Sequence, residues 1–123
     1  MTTQDVAQKL VNLCREGQFE KAQKELYSQD AVSLEPAGTP NAESKGLDAL
    51  LKKAEMFNND FEVHSNVVSD PVVADNFFSI TMKLDATHKP SGQKMPMEEV
   101  CVYEVKDGKI VLEQFFYSPP PQG

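Results

Sequence analysis

The hydrophobic period of this chain changes near residue 60, from the spacing of helices to the alternation of strands. Before that point most apolar residues recur every three or four positions, and after it they recur every second position. Helices that precede a run of antiparallel strands pack together on one face of the resulting sheet. The change of period therefore predicts an α+β fold.

Three segments with helical spacing predict helices, over residues 3–15, 18–27 and 47–58. Gly17 is expected to end the first helix, because glycine readily adopts the left-handed conformation that follows many helices. A short alternating strand is predicted over residues 31–36, and Pro36 ends it because proline donates no ladder hydrogen bond. The loop predicted over residues 36–46 is longer than most connections in compact domains, which is typical of functional loops.

Four later segments alternate and predict strands, over residues 61–69, 72–87, 94–106 and 109–118. The Asp-Gly pair at 107–108 suits either a two-residue turn or a three-residue turn with a bulge. The two turns differ by one residue in register, which reverses the facing of the last strand. The sequence leaves open which side chains face the interior, those of Glu113, Phe115 and Tyr117 or those of Gln114 and Phe116.

Both faces of the predicted sheet carry apolar residues. Phe78 and Met82 lie on one side of their strand, while Val100 and Cys101 lie on opposite sides of theirs. The helices can cover only one face. We therefore expect a homodimer formed through the outer sheet face.

The length of 123 residues predicts one domain, over residues 1–118, with a flexible tail at 119–123. Acidic residues outnumber basic ones by 19 to 12, giving a net charge of −7 that disfavours nucleic acid and anionic membranes as partners. Without a secretion-signal pattern, the chain is expected to be cytoplasmic. Cys14 and Cys101 are predicted to be free buried thiols, and neither a metal site nor a cofactor is expected.

Three segments together resemble the nuclear transport factor 2-like superfamily, especially its SnoaL-like and ketosteroid-isomerase-like branches: residues 25–36, residues 45–50 and residues 103–110. The resemblance covers nearly the whole chain. It implies three helices packed on a strongly curved antiparallel sheet that forms a cone with an internal pocket. Members of the superfamily include isomerases, cyclases, dehydratases and binding modules, so activity has to be argued from the site.

The resemblance also implies a base. In the steroid isomerases a carboxylate precedes the proline that ends the first strand, and Glu35 matches that position. Their two oxyanion donors match Leu10 and Cys101, neither of which is a strong hydrogen-bond donor. Since losing one such donor costs about a hundredfold in rate, steroid isomerase activity is not expected. The alternative for Glu35 is a solvated carboxylate at a strand end.

Other candidate residues follow from strand alternation. Glu99, Cys101 and Tyr103 share one face, which the resemblance places toward the pocket. His64 is either a pocket acid or base, paired with Glu35 or Glu99, or a surface imidazole. The alternative for Glu99 is an ordinary ion pair with a lysine. The remaining candidate ligand contacts are Phe78, Met82, Phe115 and Tyr117.

Two hypotheses of function follow from these residues. The first is a pocket protein for a small hydrophobic or polar organic ligand, of SnoaL-like type, acting as a cofactor-independent isomerase or cyclase. In this hypothesis Glu35 moves a proton and Tyr103 or His64 assists. The second is a non-catalytic module that binds a ligand or another protein. Whether the protein is an enzyme, and which ligand it takes, are left open.

Overall fold

The computed structural model describes residues 1–39 and 42–118. Residues 40 and 41, and the tail predicted to be flexible at 119–123, lie outside the described residues. The elements run in the predicted order of two helices, a strand, a third helix and then a series of strands. The α+β prediction is confirmed.

The first helix, α1 (Thr3–Arg15), begins with a capping box. The Thr2 hydroxyl accepts from the Asp5 backbone N–H, and the Asp5 carboxylate accepts from the Thr2 backbone N–H, both at 3.1 Å. These bonds satisfy two backbone donors that a helix start otherwise leaves free. The buried face has the predicted spacing and consists of Val6, Ala7, Leu10, Val11 and Cys14.

The other two helices complete one layer of the fold: α2 (Phe19–Leu26) and α3 (Leu47–Asp60). Gly17, with a φ of 73°, turns the chain between α1 and α2 in a conformation that glycine adopts without steric cost. Gly46 precedes α3, and its backbone N–H donates to the carbonyl of Ala31 at 2.8 Å. None of the described helices combines the length and the apolar character needed to cross a bilayer.

Seven strands form one open sheet in the described part of the chain: β1 (Tyr27–Leu34), β2 (Glu43–Lys45), β3 (Phe61–Val68), β4 (Val72–Ala74), β5 (Phe77–His88), β6 (Gln93–Lys106) and β7 (Lys109–Phe116). The order is β2-β1-β7-β6-β5-β3, with β4 paired to β5. The β1–β7 pair is parallel, and the other pairs are antiparallel. The sheet curves around the helices as the resemblance implied.

Three differences from the predicted strands exceed one or two residues at a strand end. β1 starts at Tyr27, which pairs with Ile110, although the apolar pattern placed Tyr27 at the end of a helix. The predicted loop over 36–46 contains the short strand β2, which pairs with β1. The predicted strand over 72–87 is a hairpin, because the chain reverses at residues 75–76 and Asp75 adopts a φ of 56°.

A bulge in the last hairpin decides the facing of β7. Lys106 pairs directly with Lys109, so the turn has two residues. Val105 then pairs with Ile110 but Glu104 pairs with Leu112, which leaves Val111 as an extra residue. This extra residue reverses the alternation, so that Glu113 is buried, Phe115 packs on the core, and Phe116 is 49% exposed.

The core lies between the helices and the inner face of the sheet. Leu10 and Val11 of α1, Leu26 of α2 and Leu50 of α3 pack there with Ile80 of β5. Both cysteines are free and buried, as predicted. The side of the sheet away from the helices carries exposed apolar side chains, which we call the outer sheet face: Val67, Val100 and Phe116.

Candidate functional site

A cavity of about 560 Å³ lies between the helices and the inner face of the sheet. Its volume falls in the range of small-molecule sites. The helices contribute mainly apolar and amide side chains to its wall, among them Leu10, Phe19, Gln23, Leu50 and Phe57. The strands and the segments that follow them contribute Met82, Met97, Glu99, Tyr103, Phe115 and Tyr117.

Glu35 reaches this cavity from the end of β1, where Pro36 prevents the ladder from continuing. Its side chain is 15% exposed. One carboxylate oxygen, Oε1, lies 2.7 Å from the ammonium nitrogen of Lys53. The other, Oε2, accepts a hydrogen bond of 2.9 Å from the Tyr117 hydroxyl. The structure therefore places the predicted base in the cavity with each oxygen paired to a donor.

Lys53 also connects Glu35 to a second carboxylate deeper in the fold. Its ammonium group donates to the Ser33 hydroxyl at 2.9 Å. Ser33 Oγ donates in turn to Glu113 Oε2 at 2.7 Å, and the Tyr27 hydroxyl donates to Glu113 Oε1. We call this connected set the polar chain: Tyr27, Glu113, Ser33, Lys53, Glu35 and Tyr117.

The ammonium group of Lys53 sets the hydrogen-bond directions in the polar chain. An ammonium group cannot accept, so Ser33 accepts from Lys53 and donates to Glu113. Burial raises the pKa of Glu113, and the hydrogen bonds from Tyr27 and Ser33 and the charge of Lys53 offset only part of that increase. Burial and the adjacent Glu113 raise the pKa of Tyr27, which keeps its hydroxyl protonated as a donor.

Glu99 lines the cavity from β6, the strand that neighbours β7, and is much less well paired. Its one side-chain contact among the described residues is with the Cys101 thiol, a weak donor, at 3.6 Å. Burial, followed by the charge of Glu35, raises the pKa of Glu99 to about 7. The thiol contact and Lys53 oppose this shift. Glu99 therefore changes its charge near neutral pH.

Tyr103 also lines the cavity, on the same face of β6 as Glu99 and separated from it by Cys101. Its ring stacks on Phe78 with centroids 4.8 Å apart, and the residue is 2% exposed. Burial raises the pKa of Tyr103, so its phenol remains protonated. The cavity wall thus holds a neutral hydroxyl within a mainly apolar setting.

Four of the predicted ligand contacts, Met82, Glu99, Phe115 and Tyr117, line the cavity. Two others do not. Phe78 and Cys101 are buried in the core and do not line the cavity, so neither is placed to contact a ligand there. Burial raises the pKa of the Cys101 thiol, which makes it unreactive.

His64 lies outside the cavity and is removed from the candidate site. It is the extra residue of a bulge in β3, since Val63 pairs with Ala86 and Ser65 pairs with Asp85. Its exposed ring contacts the Thr87 hydroxyl at 2.7 Å. Across residues 1–39 and 42–118, no group of three or more His, Cys, Asp or Glu side chains is placed to hold a metal ion.

Two members of the site were missed by the sequence analysis. Lys53 shares a helix face with Leu50 and Phe57, and that i, i+3, i+7 spacing was a usable signal for an inward lysine. Its ammonium nitrogen also lies 5.2 Å from the centre of the Phe115 ring. Glu113 gave no usable signal, because its facing depends on the bulge at Val111.

The family model of the SnoaL-like domain matches residues 1–117 of this chain. The chain is also similar to the crystal structure of a Mesorhizobium loti protein, described provisionally as a SnoaL-like polyketide cyclase, with the added words carbohydrate phosphatase. That similarity reaches 34% identity and a TM-score of 0.91, covering 95% of this chain and 100% of that one. No curated protein matches.

More distant structures share the fold alone. An NTF2-like protein from Burkholderia thailandensis is 15% identical, with a TM-score of 0.81, and the match covers 94% of this chain and 90% of that one. A protein from Bacillus subtilis, provisionally an isomerase, is 19% identical, with a TM-score of 0.74, over 97% and 91% of the two chains. The nuclear transport factor 2-like fold, first indicated by short segments, is confirmed.

Proposed function

This chain belongs to the SnoaL-like domain family, and we propose that its cavity binds a small organic molecule and removes a proton from a carbon atom. Glu35 is the proposed base. The observation that carries the proposal is that this carboxylate lines the cavity at 15% exposure, between Lys53 and Tyr117. A carboxylate held in this way keeps one orientation toward a ligand.

Glu35 can still accept a proton while both of its partners are bound. Lys53 and Tyr117 bind different carboxylate oxygens, and each oxygen has two lone pairs, so each retains one that can accept a proton. We therefore assign Lys53 and Tyr117 as positioning residues.

Tyr103 is the proposed donor to the oxygen of the substrate. In the proposed step the C–H bond beside a carbonyl breaks, its proton moves to Glu35, and its electron pair moves to the carbonyl oxygen. A protonated buried phenol can stabilise that oxygen with a hydrogen bond. Return of the proton to another carbon gives an isomer. Attack of the enolate on a second carbonyl of the substrate gives a ring.

The charge of the wall favours this chemistry over phosphate ester hydrolysis, the other activity in the description of the Mesorhizobium loti protein. Among the described residues Lys53 is the only cationic side chain that lines the cavity, and Glu35 already pairs with it. A phosphate ester carries up to two negative charges and needs donors or cations to bind. Glu99 and Glu113 would instead repel it.

Hydrogen–deuterium exchange tests the proton-transfer proposal. The chain is incubated in D₂O with 4-phenylbutan-2-one, and exchange at the carbons beside the carbonyl is followed by NMR. We expect exchange faster than in buffer, and a loss of about a hundredfold or more in Glu35→Gln. The matched control is Glu62→Gln, an exposed carboxylate on β3. Binding of the ketone without accelerated exchange would support the non-catalytic alternative.

For the outer sheet face we propose association with a second copy of the chain. Val67, Val100 and Phe116 are 64%, 43% and 49% exposed and line a shallow depression of about 380 Å³. Lys83 and Glu98, 4.0 Å apart, border the same depression. A two-fold axis brings a patch onto its own copy, so a patch with both charges can complement itself.

Light scattering across a concentration series tests this association. We expect a dimer for the wild-type chain and a monomer for Phe116→Glu, because a carboxylate would be buried in the apolar contact. Met56→Glu is the matched control, since Met56 is 52% exposed but lies on α3, away from the outer sheet face. A wild-type chain that is monomeric at 100 μM, or a dimer unaffected by Phe116→Glu, would refute the proposal.

A further inference from the structure

On the described part of the cavity wall, carboxyl groups outnumber ammonium groups, and the ammonium group is already paired. In the described part of the chain, four carboxyl groups line the wall, those of Glu35, Glu98, Glu99 and Glu113, together with the single ammonium group of Lys53. Glu98 lies at the rim, since its side chain is 73% exposed and 4.0 Å from the ammonium group of Lys83. The ammonium group of Lys53 is already engaged, at 2.7 Å from Glu35 and 2.9 Å from Ser33. A ligand carboxylate would therefore meet two or three negative groups and no free cation within the described part of the wall.

Glu99 is the carboxyl group that the protein leaves available. Both oxygens of Glu35 and both oxygens of Glu113 have hydroxyl or ammonium donors. Within residues 1–39 and 42–118, the only donor to Glu99 is the thiol of Cys101, at 3.6 Å. A half-buried carboxyl group without a strong donor favours a ligand that supplies one. The proposed proton transfer, which uses Glu35 and Tyr103, makes no use of Glu99.

A second acceptor on the wall points to the same kind of ligand. Gln23 of α2 lines the cavity, and its side-chain carbonyl oxygen, Oε1, is buried without a hydrogen-bond donor among the described residues. Leaving such an acceptor unpaired is unfavourable. Gln23 is neutral and lies on a helix rather than on β6, so its unpaired oxygen favours a donor on the ligand for a reason separate from the excess of carboxyl groups.

The apolar part of the wall can also accommodate a cation. Aromatic side chains line it from several elements, including Phe19, Phe57, Phe115 and Tyr117. Aromatic faces attract ammonium groups, most strongly where water is excluded. The structure already contains one such contact, between Lys53 and Phe115, with the ammonium nitrogen 5.2 Å from the ring centre.

We propose that the ligand of this cavity is an apolar molecule with a protonated amine, and that Glu99 is the group that binds the amine. The inference rests on the proposed function for the existence of a ligand and adds its chemical class. Gln23 accepts a further hydrogen bond from the amine or from a neighbouring N–H of the ligand. Molecules of similar shape that carry a carboxylate are excluded by the charge of the wall.

Three probes with a common phenylbutyl body test the inference: 4-phenylbutylamine, 4-phenylbutan-1-ol and 4-phenylbutanoate. Their dissociation constants for the full chain are measured by NMR titration at pH 8, where Glu99 is mostly ionised. We expect the amine to bind at least about tenfold more tightly than the carboxylate, with the alcohol between them. Equal or tighter binding of the carboxylate would overturn the inference and leave the proposed function standing.

A substitution of Glu99 tests whether this residue binds the amine of the ligand. Glu99→Gln keeps the shape of the side chain and removes its charge, and we expect the preference for amine over carboxylate to shrink about fivefold or more. Glu62→Gln removes one charge outside the cavity, and we expect it to leave the preference within twofold. An unchanged preference in Glu99→Gln would overturn the assignment of Glu99.

Binding of the neutral alcohol separates this inference from the function on which it rests. If the alcohol binds and the amine does not, the cavity takes ligands but their class is wrong. If none of the three probes binds at 5 mM to the folded wild-type chain, ligand binding in this cavity is refuted, and the proposed function is refuted with it. A circular dichroism spectrum of each variant confirms that the fold is retained.

Discussion

Buried carboxyl groups on the two sides of the cavity differ in the hydrogen-bond donors that surround them. On the β1–β7 side, the polar chain gives each oxygen of Glu35 and Glu113 a hydroxyl or ammonium donor. On the β6 side, Glu99 has a single thiol contact, and its pKa is raised to about 7. The difference shows that the fold supplies hydrogen-bond donors to its buried carboxyl groups unequally. Glu113 is satisfied by donors within the protein, whereas Glu99 is left to a donor from outside it.

Breaking the polar chain at its most buried member tests the β1–β7 side most severely. Glu113→Gln replaces an acceptor oxygen by an NH₂ group, so one of the two hydroxyl donors, from Tyr27 or Ser33, loses its acceptor. We expect the free energy of unfolding to fall by about 3 kcal/mol, measured by urea denaturation. In the control Glu98→Gln, whose side chain is 73% exposed, we expect a change below about 0.5 kcal/mol. A small effect in Glu113→Gln would mean that the chain contributes little to stability.

The pH dependence of the free energy of unfolding tests the β6 side. The folded-state pKa of Glu99, about 7, lies above its ordinary value of 4.5, so the folded state binds the proton more tightly. The stabilisation is therefore complete below pH 4.5 and is lost as the pH rises toward and through 7. Between pH 5 and pH 8 we expect the wild type to lose about 2 kcal/mol more stability than Glu99→Gln, measured by urea denaturation at each pH.

Other charged groups on the wall act on Glu99, which is why the pH test compares two proteins. Glu35 and Glu113 raise the pKa of Glu99 by their charges, and Lys53 lowers it. These groups remain in Glu99→Gln, so the difference between the two pH profiles reports mainly on Glu99. Parallel profiles would show that Glu99 titrates as an ordinary solvated carboxylate.

Lys53 gives the smallest expected effect, because its side chain is 32% exposed. Lys53→Met keeps the apolar stem but leaves Glu35 Oε1 without its ammonium partner. We expect the free energy of unfolding to fall by about 1 to 2 kcal/mol, measured by thermal and urea denaturation. Lys52→Met is the matched control on the exposed face of α3. Equal effects of the two substitutions would mean that the ion pair is not stabilising.

Much of the fold followed from the sequence because its signals are local. The capping box at Thr2, the apolar face of α1 and the change of period near residue 60 each depend on neighbours only a few positions apart. The position of Glu35 was equally local, since Pro36 ends the ladder directly after it. The facing of Lys53 could have been read from the spacing of α3 in the same way.

Where the predicted strands were wrong, a single residue had introduced a bulge or a turn. The bulge residue His64 shows how one extra residue in β3 turns a side chain out of the predicted pattern. Asp75, with its positive φ, divided one predicted strand into a hairpin. Neither residue type requires such a geometry, because His is found both in regular strands and at bulges, and Asp is found in turns with negative as well as positive φ.

The sequence by itself determined the class of fold and the order of its elements, because these depend on periodicity, and it placed Glu35 at a strand end before a proline. The suggestion that Glu35 is a base came from the family resemblance. Only the tertiary structure decided which carboxyl groups are paired. The bulge at Val111 turns Glu113 inward, and the parallel pairing of β1 with β7 brings Ser33 and Tyr27 to it. These contacts cannot be predicted from neighbouring residues, because Glu113 is 80 or more residues away from both donors.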